Sequence, residues 1–287
     1  MDKREIKLRL LDVLTAFALC LIFSVLCSEL LYRLIGIWAL YIGCALSVAV
    51  VILISKKTGL KISALTPFKA PKASEIFAVG MIVAGALLFS LPAVLIFQIV
   101  FPDFALSGFR VTEALADKGG FMYLLVALLI LFSAFSESLL FDGYIYSHTK
   151  KLARLLIIAL SIGLCLALFR HELYIFVPVV IFGAAAVYVR GRTGSMTLPL
   201  IMHIIFNTAA IAFTNAALTT EELFGLQMGM LPVIGMGMIL SGAALPVTVI
   251  GMRLLGDFKN RQLFEKAIVL VLSIVLIASG YAISRIA

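Results

Sequence analysis

The sequence predicts an all-α, polytopic integral membrane bundle of about 8–9 transmembrane helices, and three observations carry that prediction. First, 63% of its 287 residues are hydrophobic and only 13% are charged, about half the charge of an average soluble domain at roughly 25%. Second, apolar runs of about 18 to 25 residues, the length a helix needs to cross hydrocarbon, recur from end to end. Third, the lysines and arginines gather in every second loop, as topology determinants do. No Ser/Pro-rich linker or charge block divides the chain, so 1–287 reads as a single transmembrane domain. The net charge of +8 comes from these short loops, which excludes nucleic acid as a partner and makes membrane lipid the surrounding solvent.

In chain order, the runs fall at roughly 10–31, 36–54, 75–99, 121–147 and 153–170, then at roughly 172–189, 195–217, 228–252 and 264–284. The N-terminus begins basic and turns apolar like a signal sequence. Its apolar stretch reaches Leu31, and no small-residue cleavage site precedes the next run, so a retained first helix is expected. Lys3, Arg4, Lys7 and Arg9 precede the first run, and Lys56, Lys57, Lys61, Lys69 and Lys72 follow the second. Lys150, Lys151 and Arg154 follow the fourth, Arg190 and Arg192 the sixth, and Arg253, Lys259, Arg261 and Lys266 the eighth. The positive-inside rule puts these loops and the N-terminus in the cytoplasm of a cell-membrane protein. A short or re-entrant helix beside Arg170, His171 and Glu172 would reduce the count to eight.

Residues 55–74 mix lysines with Leu60, Ile62, Leu65 and Phe68, a composition that suits either an anionic membrane surface or a plain solvated loop. Further on, Gly194 permits a tight turn, Thr193 or Ser195 can cap the next helix, and Pro199 sits near its start, where proline does least harm. Gly183 to Ala186, and Gly229, Gly235, Gly237 and Gly242, are small enough to let helices approach closely. Cys20, Cys27, Cys44 and Cys165 lie in apolar runs without metal-ligand spacing and read as buried packing.

Against this background the stretch from Ser133 to Tyr146 stands out, because Glu137 and Asp142 lie inside an apolar run. A charged group near the bilayer centre costs at least a few kcal/mol, so such residues face the protein interior and serve a purpose there. Glu137 lies about 15 Å from the cytoplasmic end of its helix, and His203 about 12 Å from the same side on another. Asn207 follows His203 at i+4 and projects into the same space. Tyr144, seven residues after Glu137, shares its face. His171 would lie about 25 Å along a straight helix, too far out unless that helix starts late, tilts or re-enters. His148, beside Thr149, Lys150 and Lys151, reads as interfacial.

The chemistry such groups allow is water activation. A buried glutamate suits a general base, and a neutral histidine or an amide N–H can stabilise an oxyanion. The same residues could instead hold helices together or bind an ion on a transport path.

ESLLFDG at 137–143, ALFRH at 167–171 and HIIFN at 203–207 resemble, in order and spacing, the CPBP (ABI) family of intramembrane proteases. This family includes CAAX prenyl endopeptidases and proteins linked to bacteriocin processing or immunity. Its pattern is Glu-Glu-x-x-x-Arg, often with a following Gly, then Phe-x-x-x-His, then His-x-x-x-Asn; the resemblance covers roughly residues 121–215, the expected catalytic core.

The resemblance implies that Glu137 activates water, that His171 is a second polar group at the water, and that His203 and Asn207 stabilise the oxyanion. It implies a peptide or lipidated protein substrate and a metal-free glutamate mechanism. Glu137, His171 and His203 match a Zn²⁺ ligand set in number and type, but no His-Glu-x-x-His supports one. Three positions depart from the pattern: Ser138 stands for the second Glu, Asp142 for the Arg and Ala167 for the Phe. Ser138 and Asp142 are i and i+4, so a hydrogen bond between them is one expected replacement for the family's ion pair, and Arg170 reaching Asp142 is the other. An intramembrane endopeptidase is the leading expectation; the alternatives are a non-catalytic bacteriocin-immunity or scaffold protein and a transporter.

Overall fold

The computed structural model describes residues 3–100, 119–149, 176–209, 230–256 and 263–286. All of their regular structure is helical. The first helix, α1 (Lys3–Val25), continues through a wide π-helical turn (Leu26–Leu31) and a last α-turn (Tyr32–Ile35). After it come α2 (Trp38–Lys57), the single turn α3 (Ile62–Leu65), α4 (Ala73–Val100) and α5 (Gly119–Ser138). A second wide turn (Leu139–Ile145) and Tyr146–Thr149 extend α5. The remaining helices are α6 (Phe176–Thr193), α7 (Thr197–Ala209), α8 (Met230–Leu254) and α9 (Leu263–Ile286).

Among the described residues six helices are long and apolar enough to span a bilayer, with the shorter apolar α7 in addition, so the chain is a multi-pass membrane protein. The run at 153–170, with Cys165, Ala167, Arg170 and His171, lies outside the described residues. The next described helix, Phe176–Thr193, runs four residues past the apolar run, with Arg190 buried and Arg192 exposed at its end.

The chain divides into two compact units. The first comprises residues 1–70, 109–158 and 194–211 and so holds α1, α2, α3, α5 and α7. In it Ile37 packs with Leu125, Val126 and Leu129, and the Tyr41 hydroxyl donates to the carbonyl of Leu125, joining α2 to α5. Leu124, Leu128 and Leu131, on the opposite face of α5, are exposed as lipid-facing side chains should be. Cys20 and Cys27 are buried and Cys44 is partly buried; Gly43 lets α1 approach, since a Cβ there would sit 3.2 Å from that of Cys27.

The second unit comprises residues 71–108, 159–193 and 212–287 and contains α4, α6, α8 and α9. Small residues set its spacing. A Cβ on Gly235 would lie 2.6 Å from the Gly280 carbonyl, and one on Gly242 would lie 2.8 Å from that of Ser273, so α8 and α9 touch backbone to backbone. Gly237 meets Pro92 of α4, and Gly251, absent from the sequence-based set, meets the Ala78 carbonyl at 2.6 Å. Gly183 differs: its Cβ position is open, so it provides no close approach, and Gly229 lies outside the described residues.

Candidate functional site

The polar groups converge inside the first unit, and local sequence explains how each gets there. On α7, Leu198, Met202, Phe206 and Asn207 face inward while Ile201, Ile205 and Thr208 face out, a helical stripe that carries His203 on the inner side. The start of this helix is anchored twice. Gly194 takes a left-handed conformation (φ 63°) that turns the chain, and the Ser195 hydroxyl oxygen accepts from Thr197 N at 3.2 Å, so of the two possible caps Ser195 is used. Thr193 instead closes the preceding helix by donating to Val189 O at 2.9 Å.

The second anchor is the segment at 66–69. Met196 N donates to Pro67 O at 3.1 Å, Thr197 Oγ1 to Lys69 O at 2.9 Å, and Lys69 N to Ser195 Oγ at 3.3 Å. Residues 55–74 are therefore neither a plain solvated loop nor wholly a surface segment. Leu65 is fully buried, while Ile62 and Phe68 are exposed beside Lys61, Lys69 and Lys72. The Leu65 carbonyl packs against Gly143, where a Cβ would come within 3.0 Å of it.

Gly143 belongs to the wide turn of α5, and that turn decides what Asp142 meets. In an unbroken α-helix, Glu137 and Asp142 would point about 140° apart, whereas Ser138 and Asp142 would share a face. Closing i→i+5 from Leu139 to Ile145 places more residues in each turn and swings Asp142 out of register with Ser138. The expected hydrogen bond between Ser138 and Asp142 is accordingly not formed. Ser138 Oγ is buried without a partner among the described residues, and Asp142 Oδ2 lies 3.2 Å from His203 Nε2. Arg170, the other expected partner, lies outside the described residues.

His203 is held from both sides, since its Nδ1 lies 3.5 Å from Glu137 Oε2. The other oxygen of Glu137 accepts from Ser133 Oγ at 2.8 Å. The order is Ser133, Glu137, His203, Asp142, with side-chain exposures of 15% for Glu137, 12% for His203 and 1% for Asp142. The depth matching of Glu137 and His203 thus corresponds to a direct contact. Asp142 is fully buried. Burying two carboxylates in an apolar segment is costly, and the imidazole and the Ser133 hydroxyl offset that cost with hydrogen-bond donors. Ser133 was absent from the sequence-based set, although a hydroxyl one turn before a buried glutamate is the signal that finds it.

Asn207 is buried one turn beyond His203, and neither Oδ1 nor Nδ2 has a hydrogen-bond partner among the described residues. An amide left unsatisfied in this way has its full donor and acceptor capacity available to another molecule. Tyr144 is buried with its ring centroid 4.4 Å from that of His148. His148 Nδ1 lies 2.9 Å from the Tyr144 carbonyl. Among the described residues no three His, Cys, Asp or Glu side chains are arranged to hold a metal ion, and His171 lies outside them.

Such an arrangement can accept a proton from water on a carboxylate, pass charge to an imidazole, and offer an amide N–H to a developing oxyanion. Residues 119–209 match the family model described as "Type II CAAX prenyl endopeptidase Rce1-like". No curated protein matches the chain, and no solved structure does.

Proposed function

We propose, from the match of residues 119–209 to the CAAX prenyl endopeptidase model, that this chain is a CPBP-type intramembrane protease that hydrolyses a peptide bond of a peptide or lipidated protein within the membrane. The observation that carries this reading is the contact of Glu137 with His203, 3.5 Å apart on two helices of the matched region. Glu137 takes one proton from a water held against the scissile carbonyl, and the resulting hydroxide adds to the carbonyl carbon. Each oxygen of a carboxylate has two lone pairs, so the bond accepted from Ser133 and the contact with His203 leave room for that water. The oxyanion takes a hydrogen bond from the Asn207 amide, with His203 beside it. When the C–N bond breaks, the proton held by Glu137 passes to the leaving amine. His171 supplies the second polar group at the water, and no metal enters the reaction.

The catalytic core spans residues 121–215 within a single transmembrane domain. Substrate reaches the site laterally or from the cytoplasm, since the basic loops put the N-terminus and the start of α7 on the cytoplasmic side of the cell membrane. The test is Glu137→Gln in protein of unchanged expression and thermal stability, assayed on an internally quenched farnesylated peptide ending in a CAAX box. Wild-type protein yields the shortened product by mass spectrometry and the variant yields none; continued turnover by the variant removes the mechanism. Peptide retained equally by both proteins, with no product from either, favours a scaffold or immunity role without turnover.

A further inference from the structure

We propose that Asp142 is a positioning residue that fixes the protonation of His203, so that the site works as a Glu137–His203–Asp142 relay in place of the ion pair implied by the family pattern. This rests on the hydrolytic reading of the same site. Asp142 stands where the pattern has an arginine, yet its carboxylate is fully buried and points at an imidazole. Oδ2 lies 3.2 Å from His203 Nε2, while Nδ1 of the same ring faces Glu137 at 3.5 Å.

The chemistry follows from what each atom can do. Both flanking carboxylates only accept hydrogen bonds when ionised, so a singly protonated ring donates to one of them, and the hydrogen bond of 3.2 Å to Asp142, against a contact of 3.5 Å to Glu137, puts that proton on Nε2. The lone pair of the neutral ring is then on Nδ1, directed at Glu137. Once Glu137 has taken a proton from water, its Oε2–H donates to that lone pair, and the proton returns through Glu137 to the leaving amine. No net charge or proton is gained over the cycle. The other tautomer would present an N–H to Glu137 and hold the base as an acceptor, which competes with its work on water. The buried Ser138 hydroxyl, at the other departure from the pattern, has no partner among the described residues and so does not act on His203 there.

The experiment reads the proton and the rate separately. Protein with ¹⁵N-labelled histidine is compared with His203→Gln to assign the His203 signals, and long-range ¹H–¹⁵N spectra report which ring nitrogen is protonated. In wild-type protein Nε2 carries the proton. In Asp142→Asn, whose amide can donate to Nε2, the proton moves toward Nδ1. On the quenched farnesylated peptide kcat falls on the order of 10²- to 10⁴-fold, by analogy with loss of the tautomer-setting carboxylate in a hydrolase triad, and KM stays within about twofold. Asp142→Glu, which restores the acceptor, recovers Nε2 protonation and part of kcat. An Asp142→Asn protein with wild-type proton occupancy at Nε2 and wild-type kcat overturns the proposal and leaves the protease reading standing. Wild-type protein that never cleaves, but whose His203 tautomer responds to Asp142→Asn, removes the protease reading and keeps the positioning role.

Discussion

At the scale of single residues, the first unit keeps a polar side chain whose burial is not compensated by folding contacts. Asn207 has two amide atoms without partners among the described residues, and leaving such groups unpaired costs about 1 to 3 kcal/mol each. A residue of this kind gives up stability for availability. Asn207→Leu is therefore expected to unfold at the same temperature as wild type or higher, while turnover of the quenched peptide falls on the order of 10²- to 10³-fold, the usual effect of losing an oxyanion donor. Differential scanning fluorimetry with a parallel rate measurement checks both halves. Ser133 is the counterpart, a hydroxyl that satisfies one oxygen of Glu137. His203, Glu137 and Asn207 were legible in the sequence because each is a polar group in an apolar run at a definite depth. The partner of Asp142 was not, since its direction depends on how the helix is wound.

At the scale of elements, the wide turn of α5 and the segment before α4 act on each other through one glycine. The Leu65 carbonyl packs on Gly143, and the same segment caps the start of α7 through Pro67 and Lys69. Gly143→Ala places a methyl 3.0 Å from that carbonyl, too close for ordinary packing, so the two backbones must separate. Overpacking of this sort costs about 1 to 3 kcal/mol, and here the displacement also bears on Asp142 next to it. The expected result is a lower unfolding midpoint and a lower kcat together, read by fluorimetry and peptide cleavage; a variant that loses neither shows the contact to be slack. The sequence identified residues 55–74 as amphipathic without identifying the surface that buries Leu65, because composition sets the tendency to be buried and only a partner sets the place.

At the scale of the whole molecule, the second unit is spaced by glycine contacts and the basic loops predict an orientation. Gly280→Val should destabilise strongly, by roughly 2 kcal/mol or more, because a side chain there drives into α8, whereas Gly183→Val should be near neutral because its Cβ position is open. Thermal unfolding of the pair discriminates between packing glycines and merely small ones, and equal effects would contradict the geometry. Orientation has its own check. The proposed orientation, with the N-terminus and the lysine-rich loop in the cytoplasm, predicts that Lys61→Cys resists a membrane-impermeant maleimide in intact cells and reacts after lysis. Labelling of intact cells would reverse the topology.

Composition and run length alone determined that this is a helical, multi-pass membrane protein, because hydrocarbon tolerates little else than long apolar helices. The same reading found Glu137, His203 and Asn207, since distance along a regular helix is fixed by a constant rise per residue. Tertiary structure alone decided that Asp142 turns from Ser138 to His203. The reason is physical: a helix that widens for one turn changes the angle between residues without changing their spacing in the chain, and only the neighbours packed against it show which side chain each one then meets.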